Sequence, residues 1–397
     1  MALAEAIVHR YRAAMLPPGY EKELAALLGR MTDLARGNMT HPKMEFFGSY
    51  RSGFCKNGAD ADLNLSWFHG SFVLQGHPSY EHRASIYLDG FAKHAARAGY
   101  EGVKYVDARI PVVSFKDHIL GLDCDVTITN CTAVENSKML RLIHDRHPVI
   151  GVYVATVKDW AKAKEVVAPT KNCFNSFTMT VMALQVLQEL GLLPVFGTTT
   201  GPFGELTTAD VAAALAAHQM PPIYAQITAI DDPRLGEAVE YLLTQFAVYY
   251  SRYDWASGTA SLICPRRKRA LYGESVRQYL RTLHFKKLER WEEEETAKRL
   301  TPCRDTAECH EAAMRHEVVQ RPDDTPFVVE DFSNYVNCGR RVTKVQAPHM
   351  HAKFAELRAA LQEGRAADTA TWLFAAENKL PQTNRSPELM LKVTEYK

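Results

Sequence analysis

Two short segments carry aspartate at alternate positions within apolar, strand-forming runs, and this pattern constrains the fold more than any other. Asp60 and Asp62 begin the segment DADLNLSWF, and Asp123 and Asp125 lie in LDCDVTIT. Both runs have the composition of β-strands. Side chains two residues apart along a strand point to the same face, about 6–7 Å from each other. Each segment therefore predicts a strand with two carboxylates on one face.

The order of predicted elements indicates an α+β chain. Met44–Phe47 and the β-rich stretch 103–115 add strands around the acidic segments, and apolar spacing over 82–98 predicts a helix. After about residue 136 the pattern becomes mainly helical. Helices are predicted over 137–146, 151–165, 176–190, 208–218, 234–250, 351–363 and 366–377, with strand-like segments at 325–329 and 341–345.

Composition and charge exclude several classes of protein. Lys and Arg number 47 against 46 Asp and Glu, so the formal net charge is +1 and no global positive field exists for tight, non-specific nucleic-acid binding. The sequence has no run of about eighteen apolar residues, which a transmembrane helix requires. Eight cysteines without a CxxC pair favour a reducing compartment over a disulfide framework.

Residues 1–16 have apolar side chains at helical spacing, together with His9, Arg10 and Arg12. Such a segment is typical of a mitochondrial transit peptide or of an amphipathic helix that packs on the body of the protein. Glu5 and the absence of serine favour the packed helix.

A glycine–serine turn precedes the first acidic strand. Gly48 allows the backbone to approach a ligand closely, and the Ser49 hydroxyl beside backbone N–H groups is typical of a phosphate cradle. The acidic pair of DADLNLSWF offers the carboxylate oxygens that Mg²⁺ prefers. A third carboxylate comes from Asp123 or Asp125, and strand spacing alone leaves both open. Three carboxylates suit two-metal phosphoryl transfer, in which the ions lie about 3.5–4 Å apart.

Two blocks of sequence around these residues resemble a known family. FGSYRSGFCKNGADADLNL and ARIPVVSFKDHILGLDCDVTI are similar to motifs of the terminal uridylyltransferases and non-conventional poly(A) polymerases, which belong to the DNA polymerase β superfamily of nucleotidyltransferases. The resemblance implies that Asp60, Asp62 and Asp125 are the catalytic and metal-binding residues, which leaves Asp123 as a bystander. Ala59 stands where the family has a serine.

Three later blocks resemble nucleotide-binding motifs of the same family: VENS, then VKDWAK with NSFT, and VVEDF followed by NCGRRV. By resemblance, Lys158 and Lys162, which share a helix face, bind the β- and γ-phosphates. Phe177 replaces the family's tyrosine and stacks on the base. The UTP-binding residues that the resemblance implies are Phe47, Gly48, Ser49, Asn136, Ser137, Lys158, Lys162, Ser176, Phe177 and Asp331.

Asn136 and Asp331 are the residues to which the resemblance gives base recognition. Asn136 contacts the ribose and uracil O2, although its local sequence is also typical of a helix N-cap. Asp331 accepts a hydrogen bond from uracil N3–H, which adenine does not offer. The family's proline and second acidic residue after this Asp are missing from VVEDFSN. Arg109 and Arg340 are implied contacts to RNA or phosphate.

The resemblance implies an α+β, two-domain nucleotidyltransferase. A polymerase-β-like mixed-sheet palm is expected over 17–136, and a mainly helical base-recognition domain over 1–16 and 137–345, with UTP in the cleft between them. A charged insertion is expected at about 265–325 and a helical C-terminal extension over 346–397, and one or the other of them is expected to pack beside that cleft.

The implied activity is template-independent transfer of UMP from UTP to the 3′ hydroxyl of RNA, with two Mg²⁺ or Mn²⁺ ions and release of pyrophosphate. The short core is most similar to small trypanosomatid uridylyltransferases that act in mitochondria with RNA-editing complexes. That similarity favours the mitochondrion over the cytoplasm and a protein RNA-editing complex as a partner, with neither DNA nor a membrane expected. The alternatives are a poly(A) polymerase that uses ATP, a small-molecule nucleotidyltransferase, and a catalytically inactive RNA-binding or scaffold protein.

Overall fold

The chain divides into a sheet unit and a helical unit. The structure, a computed structural model, describes residues 2–39, 41–67, 78–107, 110–128, 130–197, 206–263, 325–331, 337–362, 366–377 and 392–396. Of these, the sheet unit takes in residues 16–137 and 392–396, and the helical unit takes in the remainder. The division between the two units falls at Ser137.

A mixed six-stranded sheet, as far as the described residues extend, has the order β1-β2-β5-β4-β3-β6. The strands are β1 (Pro42–Phe46), β2 (Ala61–Trp67), β3 (Glu101–Asp107), β4 (Val112–Asp117), β5 (Leu122–Ile128) and β6 (Lys392–Glu395). Among these pairs, β2 and β5 run parallel, and the other pairs are antiparallel. Because β2 and β5 run in the same direction, the first residues of both strands lie at the same edge of the sheet.

The helices are numbered along the chain through both units. They are α1 (Leu3–Ala13), α2 (Tyr20–Arg36), α3 (Gly48–Ser52), α4 (Pro78–Arg97), α5 (Cys131–Asp145), α6 (Pro148–Ala163), α7 (Ser176–Glu189), α8 (Thr208–Ala217), α9 (Pro222–Ala225), α10 (Leu235–Ser251), α11 (Ala347–Gln362) and α12 (Ala366–Phe374). The division between the units falls inside α5. None of the helices in the described part of the chain has both the length and the hydrophobicity of a membrane span.

Strand alternation gives the sheet one apolar face and one polar face. The buried strand residues Leu63, Leu65, Val113, Phe115, Cys124 and Val126 share a core with Leu27 and Met31 of α2 and with Leu88 and Phe91 of α4. Burial of each large apolar side chain stabilises the fold by about 1.5–3 kcal/mol. Since successive side chains point to opposite faces, Asp62, Ser114 and Asp125 lie on the face away from this core.

Aromatic packing organises the helical unit. The wholly buried Trp160 of α6 packs edge-on against Phe246 of α10, with ring centroids 6.0 Å apart, and Phe246 packs at 6.0 Å on Phe354 of α11. At the N-terminus, Leu3 and Ile7 of α1 are buried. The predicted amphipathic helix at this end is therefore a packed part of the helical unit.

A buried charge network joins the end of α6 to the C-terminal helices. Lys164 is 1% exposed, and its Nζ lies 3.0 Å from Glu377 and 4.4 Å from the centre of the Trp372 ring. Lys353 of α11 also binds Glu377, at 2.8 Å, and binds Glu356 at 2.7 Å. Burial alone would raise the pKa of Glu377, but hydrogen bonds from Lys353 and Lys164 outweigh it and lower that pKa to about 2.

The structure differs from the sequence expectations at several places. Helix α2 and strand β6 were not predicted, and segment 341–345 is not a strand, because Cys338–Arg341 forms a 3₁₀ turn. The tail was expected to be helical throughout, whereas its end pairs with β3, and the Tyr396 hydroxyl donates to Asp89. The expected insertion at 265–325 lies almost entirely outside the described residues.

Replacing Glu377 by Gln is expected to lower the free energy of unfolding by about 3 kcal/mol, because the change leaves two buried lysines without their shared counter-charge. Glu356→Gln is the matched control. That side chain is 46% exposed, so its loss is expected to cost less than about 1 kcal/mol. Chemical denaturation followed by tryptophan fluorescence measures both effects.

The Glu377 contribution has a defined pH dependence. Because the pKa of this group is lowered on folding from 4.5 to about 2, its stabilising effect is full above about pH 4.5 and is lost as the pH falls toward 2. The difference between the unchanged protein and Glu377→Gln should therefore shrink in that acid range. If the difference in the free energy of unfolding stays constant over this range, the lowered pKa of Glu377 is contradicted.

Candidate functional site

Three acidic residues lie near the point where the parallel strands β2 and β5 begin. Asp62 lies directly opposite Asp125 in the strand register, and Asp123 lies before the paired region starts. Neighbouring strands are about 4.8 Å apart, so Asp62 and Asp125 are neighbours on the polar face. Asp60 immediately precedes β2, is exposed, and acts on Asp125 through its charge. We call Asp60, Asp62 and Asp125 the acidic triad.

Asp125, like Asp62, is partly buried. Burial raises the pKa of its carboxyl group, and the negative charges of Asp60 and Asp123 raise it further. The Ser114 hydroxyl acts in the opposite direction, since it donates a hydrogen bond to Asp125 Oδ1 at 2.5 Å. Like charges close together, with partial burial, favour either protonation or the binding of a cation.

The glycine–serine turn lies against Asp62. Gly48 has a left-handed backbone, with φ of +65°, and a Cβ atom added there would lie 2.0 Å from Asp62 Oδ2. The Phe47 N–H donates to the Asp62 carbonyl oxygen at 3.0 Å. Ser49 follows at the start of α3 and is partly exposed. The turn thus needs glycine both for its backbone conformation and for the space that the carboxylate occupies.

Tyr50 connects α3 to Ala59, the residue directly before Asp60. Its hydroxyl donates to the Ala59 carbonyl oxygen at 3.0 Å, and the Ala59 N–H donates to the Lys56 carbonyl oxygen at 3.0 Å. Burial raises the pKa of Tyr50 well above its usual value, so the phenol stays protonated and able to donate. These bonds fix the end of the loop from which Asp60 projects.

Asn136 and Ser137 lie inside α5 and are buried. Asn136 is therefore not the N-cap that its local sequence suggests, because α5 already begins at Cys131. The Ser137 hydroxyl donates to the Ala133 carbonyl oxygen at 2.6 Å and accepts from the Gly48 N–H at 2.9 Å. Ser137 thus holds the glycine–serine turn in place.

The acidic triad fits a hard divalent cation by its chemistry, since carboxylate oxygens are preferred ligands of Mg²⁺ and Mn²⁺. Its side chains do not converge as a closed ligand set: in the described part of the chain, no group of three or more His, Cys, Asp and Glu side chains is arranged to hold a metal ion. Asp62 lies against Gly48, Asp125 binds Ser114, and Asp60 is exposed.

The lysine pair lies on the last turns of α6 in the helical unit. Trp160, between the two lysines in sequence, is wholly buried, whereas Lys158 is partly buried and Lys162 is exposed. The neighbouring Asp159 binds Arg10 at 3.1 Å. The tryptophan thus anchors this part of α6 in the core while Lys158 and Lys162 occupy the more exposed side.

The start of α7 and the Asp331 segment are connected by hydrogen bonds within the helical unit. Asn175 caps α7 by accepting a hydrogen bond from the Thr178 N–H at 2.8 Å. In the first turn of this helix, Ser176 is exposed and Phe177 is partly exposed. The Thr178 hydroxyl lies 3.1 Å from the Cys338 carbonyl oxygen, its acceptor. Phe177 and the segment that carries Asp331 are therefore parts of one hydrogen-bonded arrangement.

Asn337 organises the segment that carries Asp331. Its Oδ1 accepts from the Val329 N–H at 3.0 Å and from the Gly339 N–H at 2.8 Å. Its Nδ2 donates to the Phe327 carbonyl oxygen at 3.0 Å. Asp331 itself is buried, at 8% exposure. One asparagine thus fixes the backbone on both sides of the carboxylate expected to read the base.

The predicted residues fall into two groups, one in each unit. The sheet unit holds Phe47, Gly48, Ser49, Asp60, Asp62, Asp125, Asn136 and Ser137, and the helical unit holds Lys158, Lys162, Ser176, Phe177, Asp331 and Arg340. Arg109 lies outside the described residues, and Arg340 is partly exposed. Sequence reasoning assigned no role to Ser114, Tyr50 or Thr178, because only their tertiary partners distinguish them from other hydroxyl residues.

Part of the chain, including most of the sheet unit, matches a known family model. The family described as "Poly(A) RNA polymerase, mitochondrial-like, central palm domain" matches residues 3–145. Poly(A) RNA polymerase GLD2-B of Xenopus laevis is 26% identical over 223 residues, which are 55% of this chain and 42% of that protein. Human GLD2 is 25% identical over 219 residues, 54% of this chain and 44% of that protein. The chain spans less than half the length of these relatives.

Solved structures share the fold over nearly the whole chain. A cytoplasmic RNA terminal U-transferase has a TM-score of 0.63 at 16% identity and covers 96% of this chain and 99% of its own. The protein mtPAP in complex with UTP has a TM-score of 0.65 at 16% identity, over 94% of this chain and 73% of its own. The chain has the fold of the two-domain nucleotidyltransferases. The predicted α+β fold class is confirmed.

Gly48→Ala is expected to destabilise the protein more than Gly58→Ala. Both glycines have a left-handed backbone, but nothing lies within 4 Å of a Cβ at Gly58, so that change costs about 1 kcal/mol from backbone conformation alone. At Gly48 the contact with Asp62 adds about 1–3 kcal/mol. Chemical denaturation followed by circular dichroism compares the two, and equal losses would contradict the close contact.

Proposed function

We propose that the protein adds nucleotides to the 3′ hydroxyl of RNA without a template, releasing pyrophosphate, and that UTP is its preferred substrate. The observation that carries the proposal is the strand register that places Asp62 opposite Asp125, with Asp60 and the glycine–serine turn beside them. The relatives and structural neighbours support RNA nucleotidyl transfer, because their names describe poly(A) and poly(U) polymerases.

In this proposal the acidic triad holds Mg²⁺ or Mn²⁺, as two ions per site. Bound there, the ions supply a lowered pKa for the attacking hydroxyl and charge neutralisation at the phosphates. Support for a divalent ion comes from a Cid1 poly(U) polymerase structure described as bound to Mg. The chain contributes the three carboxylates and the Phe47–Ser49 turn for the triphosphate. Lys158 and Lys162 supply two positive charges for the β- and γ-phosphates.

Base selection is assigned to residues of α5, α7 and the Asp331 segment. We propose that Asn136 contacts ribose and uracil O2, with Ser137 beside it. Phe177 stacks on the base, and Ser176 donates to the triphosphate. Asp331 accepts from uracil N3–H; adenine N1 is itself an acceptor and would be repelled. We assign Arg340 to phosphate or RNA, and we retain Arg109 as a proposed RNA contact.

A poly(A) polymerase that uses ATP is the second candidate. It is favoured by the sequence relatives, which are poly(A) RNA polymerases by name, and by the matched family's description. The same acidic triad would serve either nucleotide, so the two candidates differ only at the base. The missing second acidic residue after Asp331 removes one feature that the resemblance associates with uracil.

We further propose, from the resemblance to small trypanosomatid uridylyltransferases, that the protein acts in mitochondria within an RNA-editing complex. The "mitochondrial-like" description of the matched family supports this location. Cytoplasm is the alternative, in line with the cytoplasmic U-transferase among the neighbours. Recovery of the native protein with cytosolic rather than mitochondrial markers on cell fractionation would contradict the mitochondrial proposal.

Replacing Asp60, Asp62 or Asp125 by Asn is expected to lower RNA extension by at least about a thousandfold, which corresponds to about 4 kcal/mol of transition-state stabilisation. Asp123→Asn is the control, since Asp123 is exposed and lies before the β2–β5 pairing. Extension of a labelled RNA primer, with a no-primer reaction alongside, measures the effect. Equal loss in Asp123→Asn, or no extension by the unchanged protein, would contradict the proposal.

UTP preference is tested by parallel incorporation of the four nucleoside triphosphates on one primer. The unchanged protein is expected to prefer UTP, and Asp331→Asn is expected to lower the UTP-to-ATP ratio by at least about tenfold, because the acceptor for N3–H is weakened. Arg341→Gln, an exposed change in the neighbouring 3₁₀ turn, is the control. Preference for ATP by the unchanged protein would favour the second candidate.

A further inference from the structure

Ser114 lies beside the acidic triad on the strand next to β5. In the antiparallel register of β4 and β5, Ser114 is directly opposite Asp125. Its hydroxyl donates to Asp125 Oδ1 at 2.5 Å. On the other side of β5, Asp62 is the register partner of the same residue. Asp125 is therefore flanked by a hydroxyl donor on one strand and by a second carboxylate on the other.

The hydrogen bond restricts the Asp125 side chain without removing its charge. A hydroxyl bond to a carboxylate at this distance is short and charge-assisted, and so it is among the stronger bonds a serine makes. A neutral donor leaves the carboxylate negative and leaves lone pairs for a cation. A lysine or arginine in the same place would instead neutralise the ligand. Hydrogen-bond partners of this kind orient metal ligands in proteins generally.

We propose that Ser114 is a positioning residue for the divalent-ion site, and that its hydroxyl sets the affinity of the acidic triad for Mg²⁺ or Mn²⁺ by fixing the orientation of Asp125. The inference rests on the proposed function, because it takes Asp125 as a ligand of the ion. It deepens that function by assigning a role to a strand residue outside the acidic triad.

The test compares Ser114→Val with Ser114→Thr, two side chains of nearly the same shape that differ by one hydroxyl. Both suit a strand, so their folding should match in thermal unfolding. Mn²⁺ binding to the full chain, followed by electron paramagnetic resonance without nucleotide or RNA, is expected to weaken about 10- to 100-fold in the Val variant. The Thr variant should keep most of the affinity of the unchanged protein.

Two controls separate the possible outcomes. Ser66→Ala removes a hydroxyl on β2 that donates to the backbone carbonyl of Lys43, and this change should leave Mn²⁺ binding unchanged. Asp125→Asn should weaken binding strongly. If Asp125→Asn binds Mn²⁺ as tightly as the unchanged protein, the proposed metal site itself fails. If Asp125→Asn weakens binding while the Val and Thr variants bind equally, the role of Ser114 is overturned and the site stands.

A kinetic readout distinguishes positioning from a general structural role. In the Val variant, the Mg²⁺ concentration for half-maximal RNA extension should rise by the same factor as the Mn²⁺ dissociation constant, while KM for the RNA primer changes little. The Thr variant should restore the Mg²⁺ dependence. If KM for the RNA primer rises while the Mg²⁺ concentration for half-maximal extension stays unchanged, the inference is overturned.

Discussion

The parallel pairing of β2 with β5 places two carboxylates of like charge side by side. Neighbouring strands are separated by a fixed distance of about 4.8 Å, and the register brings Asp62 level with Asp125. Strand alternation commits the opposite side of both strands to the core through Leu63 and Val126. The polar face is therefore held rigidly by the same residues that stabilise the sheet, and the repulsion between the acids cannot be relieved by moving the backbone.

Two clusters of charge in the molecule are handled in opposite ways. Glu377 is partly buried and binds the buried Lys164 and Lys353; burial alone would raise its pKa, but hydrogen bonds from the two lysines lower it to about 2. At Asp125 the described neighbours are a serine hydroxyl and further carboxylates, and burial raises its pKa. A carboxylate that binds lysines contributes to the stability of the fold, whereas carboxylates close to one another favour the binding of a cation. This contrast separates the structural network in the helical unit from the candidate site in the sheet unit.

Hydrogen bonds from backbone N–H groups to buried side-chain oxygens organise the expected nucleotide-binding residues. Ser137 holds the Gly48 N–H, and Asn337 holds the peptide groups around Asp331. Such bonds fix the turn at the start of α3 and the irregular segment around Asp331, whose backbone groups have few partners within a regular element. The family motifs therefore combine residues expected to touch the nucleotide with residues that shape the backbone, and the bonds of Ser137 belong to the second kind.

The sequence by itself determined most of the local structure. Apolar periodicity located α6, α7 and α10 close to their observed ends, because helical spacing depends on residues a few positions apart. The alternating aspartates likewise predicted carboxylates on one face of a strand, and the glycine at position 48 predicted a close approach of the backbone. The periodic segment Tyr20–Arg36 carried the same kind of signal, and its helix was nevertheless missed.

Only the tertiary structure decided how these elements meet. Spacing alone left both Asp123 and Asp125 open and the family resemblance implied Asp125, but only the β2–β5 register shows that Asp125 lies level with Asp62. Strand β6 exists through its pairing with β3, which lies far away in sequence. Ser114 became distinctive only as the partner of Asp125. The physical reason is the same in each case: register, strand partners and the charges around a carboxylate are long-range contacts, which a pattern of neighbouring residues does not encode.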